Sequence, residues 1–280
     1  MSKYYYLVAG LPELTLDDTK LSYSVVDFRA EFYPFMTAPD RKLLDLYYLQ
    51  YDNLNTLKLL KDKEATIDAR GIYSSEELLE GISVLEHADS PSDCIFPSYL
   101  SNFILAYKTL EEESHLLEGY LAALYYDYAM RSTNKFISAW YSFNLTLNNI
   151  LVALTARKYK MSNVSSMIVG ESLVCEALRT SNARDFGISS EVDYWDQLLK
   201  ISETEDLLER EKEVDKLRWA WLDEQNFFNY FTVECLFVFL QKLGMIERWI
   251  SLDKDLGNQK FRSIIAGLKN EVQIPLEFSK

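Results

Sequence analysis

Residues 47–63 read YYLQYDNLNTLKLLKDK, and the way this stretch folds decides how the rest of the chain is read. Leu49, Leu57 and Leu60, with the ring of Tyr51, recur at the spacing of one helix face. Asn53 and Asn55 stand in the middle of that helix, where a short amide competes with the helical backbone and gains little. The same frame returns twice. A shift of 94 carries Tyr47, Asn55, Leu57, Leu60 and Lys63 onto Tyr141, Asn149, Leu151, Leu154 and Arg157. A shift of 179 carries the last four onto Glu234, Leu236, Phe239 and Lys242. Each copy has a polar residue two positions before an i, i+3 apolar pair, with a cation one turn on. Internal periods of this kind predict three pseudo-repeated helical units, approximately 1–96, 97–190 and 191–280, in a single all-α domain spanning 1–280.

Composition agrees with helices. The chain has 280 residues, 48% of them apolar and 14% aromatic, which is enough to bury a full core without disulfides or metals. Nine Gly and six Pro are few turn formers for this length, which argues for long helices with short joints and against a sheet-rich sandwich. A formal net charge of −14 repels nucleic-acid phosphates and anionic lipid, so no nucleic-acid partner is expected. Cys94, Cys175 and Cys235 are odd in number and at no metal-like spacing, the pattern of buried free thiols in a reducing compartment. The amino-terminal MSKYYYLVAGLPEL is too short for a signal-peptide core, and the richest apolar window, 227–246, is interrupted by Asn229, Glu234, Gln241 and Lys242. A soluble protein without a transmembrane segment is expected.

Along the chain, residues 4–10 fit a short strand or a first helical turn, and Phe28, Phe32 and Phe35 lie at helical spacing. Pro39-Asp40 opens the helix that carries residues 47–63, and Ser74 with Glu76 and Glu77 opens the next. The spacing predicts one long helix from Pro97 to Met130, a joint at Thr133-Asn134, and a second long helix to about Lys160. A short helix is expected from Glu171 to Arg179. A charged helix is expected from Tyr194 to Glu224, with Leu198, Ile201, Leu207, Leu208, Val214 and Leu217 as its apolar stripe and mixed charges outside. Residues 227–249 read as the most buried helix, followed by a last helix at 259–269 and an extended tail. The five tryptophans, Trp140, Trp195, Trp219, Trp221 and Trp249, all lie in the second half, as core filling between large helices or as a partner surface.

Chemistry is thinly supplied. No phosphate-binding glycine loop and no hydrolase elbow is present. Glu112-x-x-His115 has the spacing of half a di-iron bundle site, but the only other histidine, His87, has Val84 three positions before it, so the set is incomplete. With two histidines and three dispersed cysteines, nucleophilic catalysis is poorly provided for. No catalytic residue, metal or cofactor is therefore assigned. The cationic run TARKYK at 155–160 suits a local protein contact or a helix C-terminus.

YDNLNTLKLLKDK followed by IDARGIYSSEELLEGI resembles the C-type subunit family of V-type/A-type ATPases (the d-type subunit of eukaryotic complexes). Asp52, Asn53, Leu54, Leu57, Leu60, Lys61 and Lys63 match its N-L-x-x-[IL]-L-[RK]-x-[RK] run, and Gly71, Ser74, Glu76, Glu77 and Leu78 match the S-x-E-E-L that follows. The second copy supplies Asn149, Leu151, Leu154 and Arg157; it has Thr155 where Lys61 stands in the first, and the third has Glu234-Cys235-Leu236. The amino-terminal YYYLVAGLP and the layout also resemble an uncharacterised bacterial family associated with V-type ATPase genes. The resemblance implies a funnel of three helical units and a non-catalytic subunit of a proton- or sodium-translocating ATPase. Its partners would be other V-type ATPase subunits, since it links the central shaft to the membrane proteolipid ring. It would be cytoplasmic, peripheral on the cytoplasmic face of the inner membrane through protein contacts. The other expectation is a helical scaffold or adaptor unrelated to ATPases.

Overall fold

The computed structural model describes residues 3–87, 94–107, 114–161 and 164–252. Among the described residues the secondary structure is helical throughout, with no strand. In chain order the helices are α1 (Tyr5–Ala9), α2 (Val25–Phe32), α3 (Ala38–Lys61), α4 (Ser75–Glu86), α5 (Ser98–Tyr107), α6 (Ser114–Met130), α7 (Lys135–Lys158), α8 (Val164–Met167), α9 (Leu173–Thr180), α10 (Trp195–Glu203), α11 (Leu207–Asn226) and α12 (Val233–Ser251). A 3-10 turn, Tyr33–Phe35, joins α2 to α3.

The helix starts follow from local chemistry. Thr37 caps α3 through Asp40 N–H and Pro39 sits in its first turn. Ser24 and Ser74 form reciprocal capping boxes with Asp27 and Glu77 at the starts of α2 and α4. Asn134 caps α7, and Ser172 caps α9. Two long helices expected from periodicity prove to be pairs. Residues 97–130 hold α5 and α6, which run antiparallel, since Tyr99 meets Tyr128 at 5.1 Å and Phe103 meets Tyr120 at 6.1 Å between ring centroids. The charged stretch breaks at 204–206 because Asp206 caps a new helix through Glu209 N–H at 2.8 Å. Leu207 and Leu208 therefore sit at an exposed helix start instead of in the apolar stripe (62% and 56% exposed).

The 227–232 segment also departs from expectation. It is a turn, with Phe227 ending α11, Phe231 at φ +60° and Thr232 preceding α12. Residues 4–10 are helical from Tyr5, and Phe35 is exposed while Phe28 and Phe32 stack in the core at 4.5 Å. The core is built on α3, α7 and α12. Tyr48, Leu44 and Leu59 of α3, Ile137, Leu147 and Ile150 of α7, and Leu236, Phe237 and Leu240 of α12 have no exposed surface. Trp140 and Trp195 are buried, and Trp221 packs on Phe136, Trp140 and Phe143. Among the described residues no helix is long and apolar enough to cross a membrane. The expected helix at 259–269 and the tail lie outside the described residues, as do Glu112 and the side chain of His115.

Candidate functional site

The asparagines of the opening frame have structural work. Asn55 is fully buried on α3; its Nδ2 donates to Asp68 O at 2.9 Å and its Oδ1 accepts from Asp68 N at 2.7 Å. Asn149 does the same from α7, with Nδ2 donating to Val169 O at 2.7 Å and Oδ1 accepting from Val169 N at 3.0 Å. Each amide thus ties the loop after its helix back against the helix, and a capped helix, α4 or α9, follows. The third position differs. Glu234 is the second residue of α12 and precedes no loop; one carboxylate oxygen accepts from Asn134 Nδ2 at 2.7 Å, and the other is buried without a partner.

The apolar positions of the frame fall in or against the core: Leu57, Leu154, Leu236 and Phe239 are buried, while Leu60 and Leu151 are partly so. The cations do not converge. Lys63 is exposed and pairs with Glu86 at 3.5 Å. Arg157 donates to the carbonyls of Ala183, Arg184 and Ser181 and lies 3.6 Å over the Phe186 ring. Lys242 pairs with Asp223 and lies 4.3 Å over the Trp219 ring.

What α3, α7 and α12 share is a cavity of about 500 Å³. Tyr47, Gln50 and Tyr51 come from α3, Trp140, Tyr141, Asn144 and Asn148 from α7, and Gln241, Gly244, Met245, Arg248 and Ser251 from α12; Tyr125 and Tyr126 of α6, Asp215 and Arg218 of α11 and Arg70 complete it. Its charged groups are each held in an ion pair, Arg70 with a carboxylate outside the wall. Asp215, 1% exposed, accepts from Arg218 NH1 at 3.1 Å, from Trp249 Nε1 at 2.8 Å and from Arg248. Arg218 also donates to Asn144 Oδ1 and Asn148 Oδ1. Arg70 forks onto Asp68 and lies 4.4 Å over the Tyr51 ring. Burial pushes the hydroxyls of Tyr47, Tyr51, Tyr125, Tyr126 and Tyr141 up from the ordinary phenol value, so they stay protonated donors. Gln241 is 8% exposed and lines the cavity, and its side chain has no protein hydrogen-bond partner among the described residues. Gly244 is required where it stands, because a Cβ there would run into the Tyr47 hydroxyl.

Sequence reasoning missed this network. Asp215 and Arg218 read as part of a solvated helix face, and their partner Arg248 lies too far along the chain for spacing to reveal it. It also missed an aromatic corner at the other end of α12. Tyr4 N–H donates to Phe231 O, and the Tyr5 and Phe231 rings meet at 4.7 Å, so α1 is tied to the 227–232 turn. Tyr6, Phe228, Phe227 and Tyr230, each next to or near these tied residues along the chain, are 85%, 84%, 64% and 63% exposed. Among the described residues no group of three or more His, Cys, Asp or Glu side chains is placed to hold a metal.

The fold and these features define an all-helical protein with a polar central cavity and an exposed aromatic corner. By sequence the chain belongs to the family described as "Protein of unknown function (DUF2764)", whose model matches residues 1–272. No curated protein and no solved structure matches it significantly. The resemblance to the C-type subunits of V-type ATPases is thereby corrected, since no family of that kind matches. The residues that carried it are explained locally. Asp52 accepts the backbone N–H groups of Ile72 and Tyr73, Asn55 staples Asp68, and Gly71 leaves room for the Asp52 carboxylate. Ser74 and Glu77 form a helix cap. These are the needs of one helix–loop–helix joint.

Proposed function

We propose that this protein is a non-catalytic helical adaptor that binds a protein partner through the aromatic corner of α1 and the 227–232 turn. The observation that carries this reading is the exposure of Tyr6, Phe227, Phe228 and Tyr230 in one corner of the molecule. Large rings are favoured at interface hot spots because they bury much area for little lost rotamer freedom. The acidic chain, with Asp223 and Glu224 exposed just before the turn, fits a partner that rims its apolar patch with basic residues. The cavity supports the same reading: its arginines are held by carboxylates, Arg218 and Arg248 by Asp215 and Arg70 by Asp68, and its phenols are held protonated, so it offers hydrogen-bond donors more than a poised acid, base or nucleophile.

A narrower form makes the partner a component of a V/A-type proton- or sodium-translocating ATPase. The chain would be peripheral to the membrane and would link the central shaft to the proteolipid ring. It is supported by the matched amide staples of α3 and α7, which relate two of the expected units to each other. Purifying the tagged full chain from its own cells under mild conditions tests both forms. A protein partner in fixed ratio is expected. Recovery of the chain alone contradicts the adaptor reading, and a partner set without any ATPase component contradicts the narrower form.

A further inference from the structure

The chain carries a formal net charge of −14, yet one surface cleft is cationic. It lies where α2 and the 3-10 turn meet the start of α3, and its charged and hydroxyl-bearing walls are Arg29, Tyr33, Arg41, Lys42 and Asp45. Arg29 is a fixed wall: its NH1 donates to Gly71 O at 2.7 Å and its guanidinium lies 5.0 Å over the Tyr48 ring. Arg41 and Lys42 are different. Among the described residues neither has an acidic side chain within ion-pair distance, and the Arg41 Nε–H is buried with no acceptor. A cation with no carboxylate in an ion pair with it keeps its charge available to an anion in the cleft. Asp45 is the one carboxylate lining the cleft; its Oδ1 accepts from the Tyr33 hydroxyl at 2.9 Å, and burial raises its pKa. Ala38, the first residue of α3, is also in the wall, so the positive end of a long helix dipole faces the cleft.

We propose that this cleft binds the phosphate group of a small phosphorylated solute, with Arg41 and Lys42 as its main partners and Arg29 as the fixed wall. Three cations against one carboxylate leave two positive charges, which match a phosphate dianion better than the single charge of a carboxylate. The assignment is independent of the partner-binding reading, because the cleft and the aromatic corner share no residue.

The test applies inorganic phosphate, glycerol phosphate and vesicles containing phosphatidic acid to the full chain, read by calorimetry and by the thermal midpoint. Saturable binding of the two solutes is expected, with a raised midpoint. Lys42→Gln, at an exposed position, and Arg41→Gln should each weaken it by roughly tenfold or more, while Lys63→Gln leaves it unchanged. Lys42→Gln keeps the test decisive if Arg41→Gln disturbs packing. The proposal is overturned if neither solute binds saturably, or if both bind Lys42→Gln as well as they bind the native chain. Binding to the vesicles alone also overturns it, by giving the site to a lipid headgroup.

Discussion

After α3, the loop is closed by the Asn55 amide, by the Arg29 guanidinium on Gly71 O at 2.7 Å and by an anion. Asp52, with no exposed surface, accepts Ile72 N–H at 2.9 Å and Tyr73 N–H at 3.2 Å, and a Cβ on Gly71 would collide with its carboxylate. After α7, the loop is closed by the Asn149 amide and by donors. Arg179 NH2 donates to Ile168 O at 2.9 Å and Gly170 O at 2.8 Å, Cys175 Sγ donates to Val169 O at 3.3 Å, and Gly170 turns the chain at φ +90°. The amide is common to both because it donates and accepts at once, satisfying a backbone C=O and N–H on the same residue. What surrounds it depends on which backbone groups remain. Both loops leave C=O groups over and recruit a guanidinium, Arg29 on Gly71 O in the first and Arg179 on Ile168 O and Gly170 O in the second; the first also leaves N–H groups over and recruits a carboxylate, and the second adds a thiol on Val169 O.

That contrast can be broken by mutation. Asn55→Ala strips two hydrogen bonds from a buried loop and should cost about 3 kcal/mol in denaturant unfolding. Asn149→Ala should cost less, about 2 kcal/mol, because Cys175 still bonds Val169 O. An equal or reversed order removes the distinction between the two closures.

The next effect is in pH. Burial raises the Asp52 carboxyl from 3.8 to about 6, so the folded state disfavours its charged form. The penalty is present in full above about pH 6 and vanishes below about pH 4, so this group makes stability rise as pH falls through that window, by about 3 kcal/mol. Asp52→Asn should remove that component of the pH profile, and an unchanged profile would show that Asp52 is not its source. The smallest effects belong to the matched cations. Arg157→Ala should cost about 1 kcal/mol, since it loses three carbonyl contacts and the Phe186 face, whereas Lys63→Ala should stay within about 0.5 kcal/mol for one exposed pair.

Much of the helical layout is legible in the sequence because caps are local. Pro39-Asp40, Ser74 with its glutamate, and Asn134 each announce a helix start within four residues. The joint between α5 and α6 is not legible, because 98–130 keeps helical spacing with no Pro and only Gly119 inside α6. The break before α11 does have a signal, Asp206-x-x-Glu209, hidden by the charge around it. The buried Asn55 and Asn149 are marked as anomalies by their helix positions alone. Asp52 is not, since nothing in a helical pattern separates a buried carboxylate from a surface one. The aromatic corner reads as the start of a core helix, because FFNYF is apolar and only the turn at Asn229–Phe231 exposes it.

Whether the aromatic corner holds a protein partner is decided by Phe227→Ser/Phe228→Ser in the tagged full chain. Both side chains project into solvent, so the thermal midpoint should stay unchanged. The native chain is expected to co-purify with its partner in fixed ratio, and the double variant, equally folded, to lose it. A double variant that retains the partner at the native ratio would contradict the assignment of the corner as the docking surface.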